Sequence, residues 1–287
     1  MKDFTGRETT ADGGDSGLKK TVRARYGGIA TGAGSCCGGP EPGVGAGVDE
    51  AFSMVTELYT PIKGYEPDAD LGLGCGLPTR YANLQAGETV IDLGSGAGND
   101  AFVAAAEVGA EGRVIGLDMT PEMVDRAREL AARRGAINIQ FVLGEIENMP
   151  IEDQVADCIL SNCVLNLVPD KAAAFRESFR VLKPGGRFAV SDIVIEGELP
   201  PQLRHSAEMY VGCVAGAMQR EAYLSVIRAA GFSEVRVVAE STIHLPDSVL
   251  SSALSQDEIR SFRDSGARIV SVTVNGSRPG VPEVPFI

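Results

Sequence analysis

A doubly wound α/β fold is predicted by three features of the chain. Between residues 88 and 240, short apolar runs alternate with amphipathic segments of helical period. The first run ends in a glycine-rich turn, Asp92-Leu93-Gly94-Ser95-Gly96-Ala97-Gly98, that leads into a helical stretch. The second run ends in an acidic residue, Asp118, 20 residues past Gly98.

Taken in order, residues 1–20 are polar and are expected to be loose, and the glycine-rich stretch 27–48 around Cys36 and Cys37 reads as a mobile loop. Phe52, Val55 and Tyr59 fall at helical spacing, which suggests a short helix over 49–60. Thr89 to Leu93 is a buried strand and 99–108 a helix. Arg113 to Asp118 is the second strand. Thr120-Pro121 opens a helix that runs to Arg134, with Thr as N-cap and Pro at the first helical position. Asn138 to Leu143 and Val155 to Ser161 are the third and fourth strands. A helix over 170–182 stops at Lys183-Pro184-Gly185-Gly186, before a fifth strand from Arg187 to Ile193. Residues 198–218 interrupt the alternation with Pro200-Pro201 and a helix. Helix 220–230, strand Val235 to Ala239 and a last strand from Arg268 to Val274 complete the fold, expected as a parallel sheet with helices on both faces.

The domain division that follows is a flexible N-terminal region over 1–60, an α/β core over 61–196, an inserted segment over 197–219, the C-terminal part of the fold over 220–275, and an irregular tail over 276–287. Composition sets limits on partners. Lys and Arg total 26 against 39 Asp and Glu, a net charge of −13. That balance disfavours a phosphate backbone and an anionic membrane surface as partners. No apolar run reaches the roughly 20 residues of a membrane helix, and no apolar stretch follows Lys2. The expected compartment is the cytosol, where thiols stay reduced.

The turn narrows the ligand. Hydride-transferring enzymes use G-x-G-x-x-G to hold a pyrophosphate on a helix N-terminus. Here the third glycine comes one residue early and Asp92 precedes the turn. A carboxylate suits an ammonium, so S-adenosylmethionine is the expected ligand. Asp92, Gly94, Ser95, Gly96 and Gly98 would cradle its methionine end, and Asp118 would accept the ribose hydroxyls. Met119 is placed on the adenine face, against the alternative of a core methionine. Glu145-Ile146 follow the third strand, where the adenine edge should lie, against the alternative of a surface loop.

The cysteines add the chemistry. Asn162-Cys163 end the fourth strand, which in a doubly wound sheet lies beside the first, at the switch point where ligands bind. Cys163 there is either a small buried hydrophobe or a reactive group. Cys75 lies among glycines in Gly72-Leu73-Gly74-Cys75-Gly76, read as an exposed, deformable loop. Cys213 lies on the inserted segment, read as a lid. Cys158 is mid-strand and is assigned to the core. Structural zinc wants four ligands and paired spacings, which these cysteines lack. A soft trivalent arsenic or antimony centre, bound by three thiolates, fits better.

These motifs together resemble the arsenite methyltransferases. The resemblance rests on Gly72 to Gly76, Ile91 to Gly96, Gly116 to Thr120, Ser161 to Pro169 and Gly212 to Ala217, and covers about residues 18–275. It implies a Rossmann-like class I methyltransferase sheet with an inserted arsenic-binding segment. It also implies that Cys75, Cys163 and Cys213 hold the arsenic, that Asn162 belongs to the cofactor site, and that Cys36 and Cys37 assist capture or thiol exchange. Arsenite and methylated arsenicals would be substrates, and reduced thiols from thioredoxin or glutathione the reductant. A small-molecule C- or O-methyltransferase of the same fold and a non-catalytic arsenic-binding protein are the competing readings. The first would want an acid or base at the end of the fourth strand, and the second would not need the turn.

Overall fold

The computed structural model describes residues 15–32, 59, 61–202, 216–245 and 247–281. Cys36, Cys37 and Cys213 lie outside the described residues, as do the helix expected over 49–60 (Tyr59 excepted) and most of the one expected within 198–218.

The strands are β1 (Thr89–Leu93), β2 (Arg113–Asp118), β3 (Ile139–Leu143), β4 (Ala156–Asn162), β5 (Leu182–Glu196), β6 (Met218–Gln219), β7 (Ser233–Ile243) and β8 (Arg268–Ser277). They form one sheet in the order β3-β2-β1-β4-β5-β8-β7, with β6 paired to β5. The helices are α1 (Asp15–Ala30), α2 (Pro78–Tyr81), α3 (Asn99–Val108), α4 (Pro121–Arg134), α5 (Lys171–Val181), α6 (Arg220–Ala229), α7 (Asp247–Ala253) and α8 (Gln256–Asp264). Among the described residues, no helix is long and apolar enough to cross a membrane.

Strand β1 shows why the centre of the sheet forms where it does. Val90, Ile91 and Leu93 are all fully buried, because helices cover both faces. Parallel register places Asp92 beside Gly116 of β2 and Leu160 of β4. The order of strand connection reverses at the β1–β4 pair, with β2 and β3 on one side and β5 on the other, which opens a crevice at the carboxyl ends of those strands. The expected punctuation of α4 is present. Pro121 takes the first position, and Gly135 closes the helix at φ +62°, donating to Ala131 and Ala132 carbonyls.

Four expectations are corrected. The sheet is mixed: β8 runs antiparallel to both β5 and β7. Strand direction leaves no mark on local periodicity, and the β7–β8 connection carries two further helices, α7 and α8. Residues 15–30, expected as a loose segment running into a loop, form α1. Its Val22, Ile29 and Ala30 are buried and Arg126 of α4 donates to the Ala30 carbonyl at 3.0 Å, so tertiary packing overrides a glycine-rich composition. Strand β5 starts at Leu182 and absorbs the Pro-Gly-Gly turn through an irregular register against Ala156 and Cys158. Met218–Gln219, read as the end of the inserted segment with no strand expected there, is the short strand β6.

A titratable group sits in the core on β5. Asp192 is fully buried and accepts from Tyr223 Oη at 3.2 Å and Ile193 N at 3.1 Å. Burial pushes its carboxyl up to about 7, against the opposing pull of those donors and of the Lys171 charge. A folded-state value above the ordinary 3.8 means that the folded chain holds the proton more tightly. The contribution to stability is therefore full at low pH and is lost as pH rises from about 4 through about 7. Asp192→Asn keeps an acceptor for Tyr223 and should flatten that part of the curve of melting temperature against pH. An unchanged curve would place the titration elsewhere.

Candidate active site

The crevice widens into a cavity of about 350 Å³, within the range of small-molecule sites. Its floor is the glycine-rich turn. Gly96 N donates to Asp118 Oδ2 at 2.9 Å and Thr120 N to Asp118 Oδ1 at 2.8 Å, so one carboxylate braces the turn and the start of α4 together. Ser95 N donates to the Leu117 carbonyl at 3.0 Å. Asp92 is buried, and its Oδ2 and the Ser95 hydroxyl have no hydrogen-bond partner among the described residues. Buried acceptors left so are costly unless a ligand completes them.

Asp70, Asp92, Asp100 and Asp118 all line this cavity. Burial raises the carboxyl pKa of Asp92, Asp100 and Asp118 above the ordinary range. For Asp92 the neighbouring Asp100 and Asp118 charges push the same way, whereas donors from Asn162 and Tyr59 oppose the shift at Asp100. Such a wall repels a pyrophosphate and attracts a cation. A ligand with an ammonium and a sulfonium is what it would hold.

Of the residues singled out in the sequence, Asp92, Gly94, Ser95, Gly96, Asp118, Met119, Ile146, Asn162 and Cys163 line the cavity. Two do not. Gly98 caps α3 at φ +98°, with the Phe141 ring too close for any side chain. Glu145 turns outward to Lys19 at 2.9 Å and Arg23 at 3.4 Å of α1, while Glu147, two residues on, reaches the cavity. The sequence reading also missed Tyr59, Asp100 and the α1 residues Lys19, Val22 and Tyr26, which cover the cavity. Asp100 carried a usable signal, an acid in the first turn of a helix opening on a glycine turn.

Cys75 corrects the expectation of an exposed loop. It is fully buried, and the glycines beside it serve close packing. A Cβ on Gly74 would stand 2.8 Å from Asn162 Nδ2, and one on Gly76 would stand 2.7 Å from Ser191 Oγ. Cys75 and Cys163 join one buried cluster with Ile193, Ile195 and Ile269. Cys163 has φ +59°, a region that non-glycine residues seldom occupy, and its N–H is fixed to the Ser191 carbonyl at 2.8 Å. Leu199 and Ala217, on either side of the segment carrying Cys213, pack on the same cluster.

Cys158 stands apart. It is fully buried in β4, and burial pushes its thiol up to about 12. Cys158→Ala should retain methyl transfer and cost about 1–2 kcal/mol of stability as a small core cavity. A large loss of turnover with an intact melting profile would move this thiol into the chemistry.

Comparison with known proteins agrees with this geometry. The family described as a methyltransferase domain matches residues 84–231. An arsenite methyltransferase from Halobacterium salinarum is 40% identical over 283 residues, covering 94% of this chain and 68% of that one. One from Aquipseudomonas alcaligenes is 39% identical, covering 71% of this chain and 61% of that one, so the chain spans about two thirds of these relatives. The crystal structure of an arsenic(III) S-adenosylmethionine methyltransferase from Chlamydomonas reinhardtii superposes with a TM-score of 0.61 at 35% identity, covering 73% of this chain and 68% of that one. A class I Rossmann-like sheet, an acidic methyl-donor crevice and buried thiols at its edge thus coincide with similarity to these arsenite methyltransferases over most of the chain, and the chain belongs to the arsenite methyltransferase family.

Proposed function

We propose that the chain transfers methyl groups from S-adenosylmethionine to trivalent arsenic held by the thiolates of Cys75, Cys163 and Cys213. The observation that carries the reading is the meeting of Cys75 and Cys163 in one buried cluster at the edge of the methyl-donor crevice, with both flanks of the Cys213 segment packed on it. In binding, three As–OH bonds give way to three As–S bonds, and each thiol proton leaves with a hydroxyl as water.

The residues divide the work. Asp92 and Ser95 supply the unpartnered acceptors for the ammonium. Asp118 keeps a second lone pair on each oxygen for the ribose hydroxyls. Met119 and Ile146 offer apolar contact to the adenine. S-adenosylmethionine supplies an electrophilic methyl, and the arsenic lone pair is the nucleophile, so no general base is needed. The thiolates must hold arsenic about 3–3.5 Å from that methyl and in line with the breaking bond.

Transfer forms As–C, breaks S–C, releases S-adenosylhomocysteine and takes arsenic from +3 to +5. Two of the thiolates then leave as a disulfide, the electron pair returns arsenic to +3, and the methylarsenic left on the third thiolate takes a hydroxide from water and releases a proton. Thioredoxin or glutathione would reduce the disulfide, which suits the reducing cytosol. Cys36 and Cys37 are assigned to capture or thiol exchange.

The test is product speciation after incubation with arsenite, S-adenosylmethionine and a reduced thiol. Methylated arsenicals and a matching yield of S-adenosylhomocysteine are expected. Bound arsenite with no methyl transfer would leave an arsenic-binding protein in its place.

A further inference from the structure

Asn162 was expected at the cofactor, and it does line the cavity, yet both ends of its amide are engaged by the protein. Its Oδ1 accepts from Cys75 N at 3.0 Å, and its Nδ2 donates to the Gly76 carbonyl at 2.8 Å. This two-point clamp grips the backbone on both sides of the Cys75 side chain. Ser271 Oγ holds the Cys75 carbonyl at 2.6 Å. Asn162 is also the residue before Cys163, so the clamp ties one thiol-bearing segment directly to the other.

The clamp has a second connection. Asn162 Nδ2 reaches Asp100 Oδ2 at 3.0 Å and Tyr59 Oη at 2.7 Å. Tyr59 Oη donates to both Asp100 oxygens at 2.9 Å. Asp100 lies in the first turn of α3, directly after the methyl-donor turn, and lines the cavity with Asp92. Both carboxylates would respond to a cation in the cavity, and a shift of Asp100 is transmitted to the Cys75 segment through Asn162 and, more weakly, through Tyr59, whose Oη also donates to the Gly76 carbonyl at 3.3 Å.

We propose that Asn162 is a positioning residue that aligns Cys75 with Cys163 for arsenic, and that its link to Asp100 and Tyr59 couples arsenical binding to binding of the methyl donor. The proposal rests on the reading of Cys75 and Cys163 as arsenic ligands.

The test uses phenylarsine oxide, which takes two thiols and releases one water. The background is the full chain with Cys36→Ser, Cys37→Ser and Cys213→Ser, which leaves Cys75 and Cys163 as a pair, with Cys158 locked in the core. Affinity is measured with and without saturating S-adenosylhomocysteine and S-adenosylmethionine, alongside melting temperature. Saturation with either nucleotide should change the arsenical affinity by about 5-fold or more, and the arsenical should change nucleotide affinity by the same factor. Asn162→Ala should weaken the arsenical about tenfold, the loss of roughly one buried hydrogen bond, and reduce the coupling to the weaker route through Tyr59.

Tyr59→Phe removes only a hydroxyl. It should retain arsenical affinity in the absence of nucleotide while the coupling falls, and it serves where Asn162→Ala does not fold. If Asn162→Ala weakens the nucleotide alone, or Tyr59→Phe leaves the coupling intact, the clamp is overturned while the arsenic reading stands. A background protein that does not bind phenylarsine oxide overturns both.

Discussion

Cys163→Ser should lower the rate of arsenite methylation by roughly 100-fold or more while leaving the fold and S-adenosylmethionine affinity close to wild type. The two side chains are nearly isosteric, and the position is 3% exposed in a well-packed cluster, so the change adds little strain. Chemistry is what changes. A thiolate is a soft ligand and holds trivalent arsenic firmly, whereas an alkoxide is hard and exchanges readily with water. With one thiolate replaced, arsenic loses a fixed direction for its lone pair, and a misplacement of about 1 Å already costs about 100-fold. The measurement is methylarsenical formation under saturating cofactor, with calorimetric titration of S-adenosylmethionine on the same samples. Undiminished turnover would remove the thiolate centre from the mechanism. Loss of cofactor affinity in parallel would show that Cys163 serves the cavity wall.

Much of the cofactor half was legible because its signals are local. Strands β1 to β4 fall within a residue of their expected ends, since apolar runs bounded by polar turns mark them without reference to the rest of the chain. The turn from Asp92 to Gly98 announced itself through residue types that only a close backbone approach requires. What the sequence hid was tertiary. Nothing local distinguishes a parallel from an antiparallel β8, whose six buried residues in a row, Ile269 to Val274, read the same either way. Glycines beside Cys75 looked like freedom and turned out to be close packing, because composition does not separate a mobile segment from one pressed against Asn162 and Ser191. The pairing of Tyr59 with Asp100 spans 41 residues and left no periodic trace. Glu145 was placed at the adenine edge by counting from the strand end, and a tight β-bridge between Glu145 and Asn148 reorients the loop so that Glu147 takes the inner side.

Gly94→Ala should abolish measurable binding of S-adenosylmethionine and destabilise the fold by about 2–5 kcal/mol. Two independent costs act at this position. The residue has φ +65°, where a side chain meets its own backbone. A Cβ there would also stand 2.2 Å from Val164 Cγ2 and 2.7 Å from Val164 Cβ, so rotation of the valine alone gives no escape. Relief must come from moving the turn, and the turn is tied to Leu117 and Asp118 through Ser95 N and Gly96 N. Any shift therefore disturbs the unpartnered acceptors of Asp92 and Ser95 that the ammonium would meet. A second substitution tests the overlap: Val164→Ala in the Gly94→Ala background removes the two Cγ contacts but leaves the contact with the Val164 Cβ position and the cost due to φ, so only partial recovery of melting temperature is expected. Val164 directly follows Cys163, so the same pair of residues sets how closely the thiol edge can approach the methyl-donor turn. Full cofactor affinity in Gly94→Ala would mean that the donor binds elsewhere, and the acidic crevice would lose its assignment.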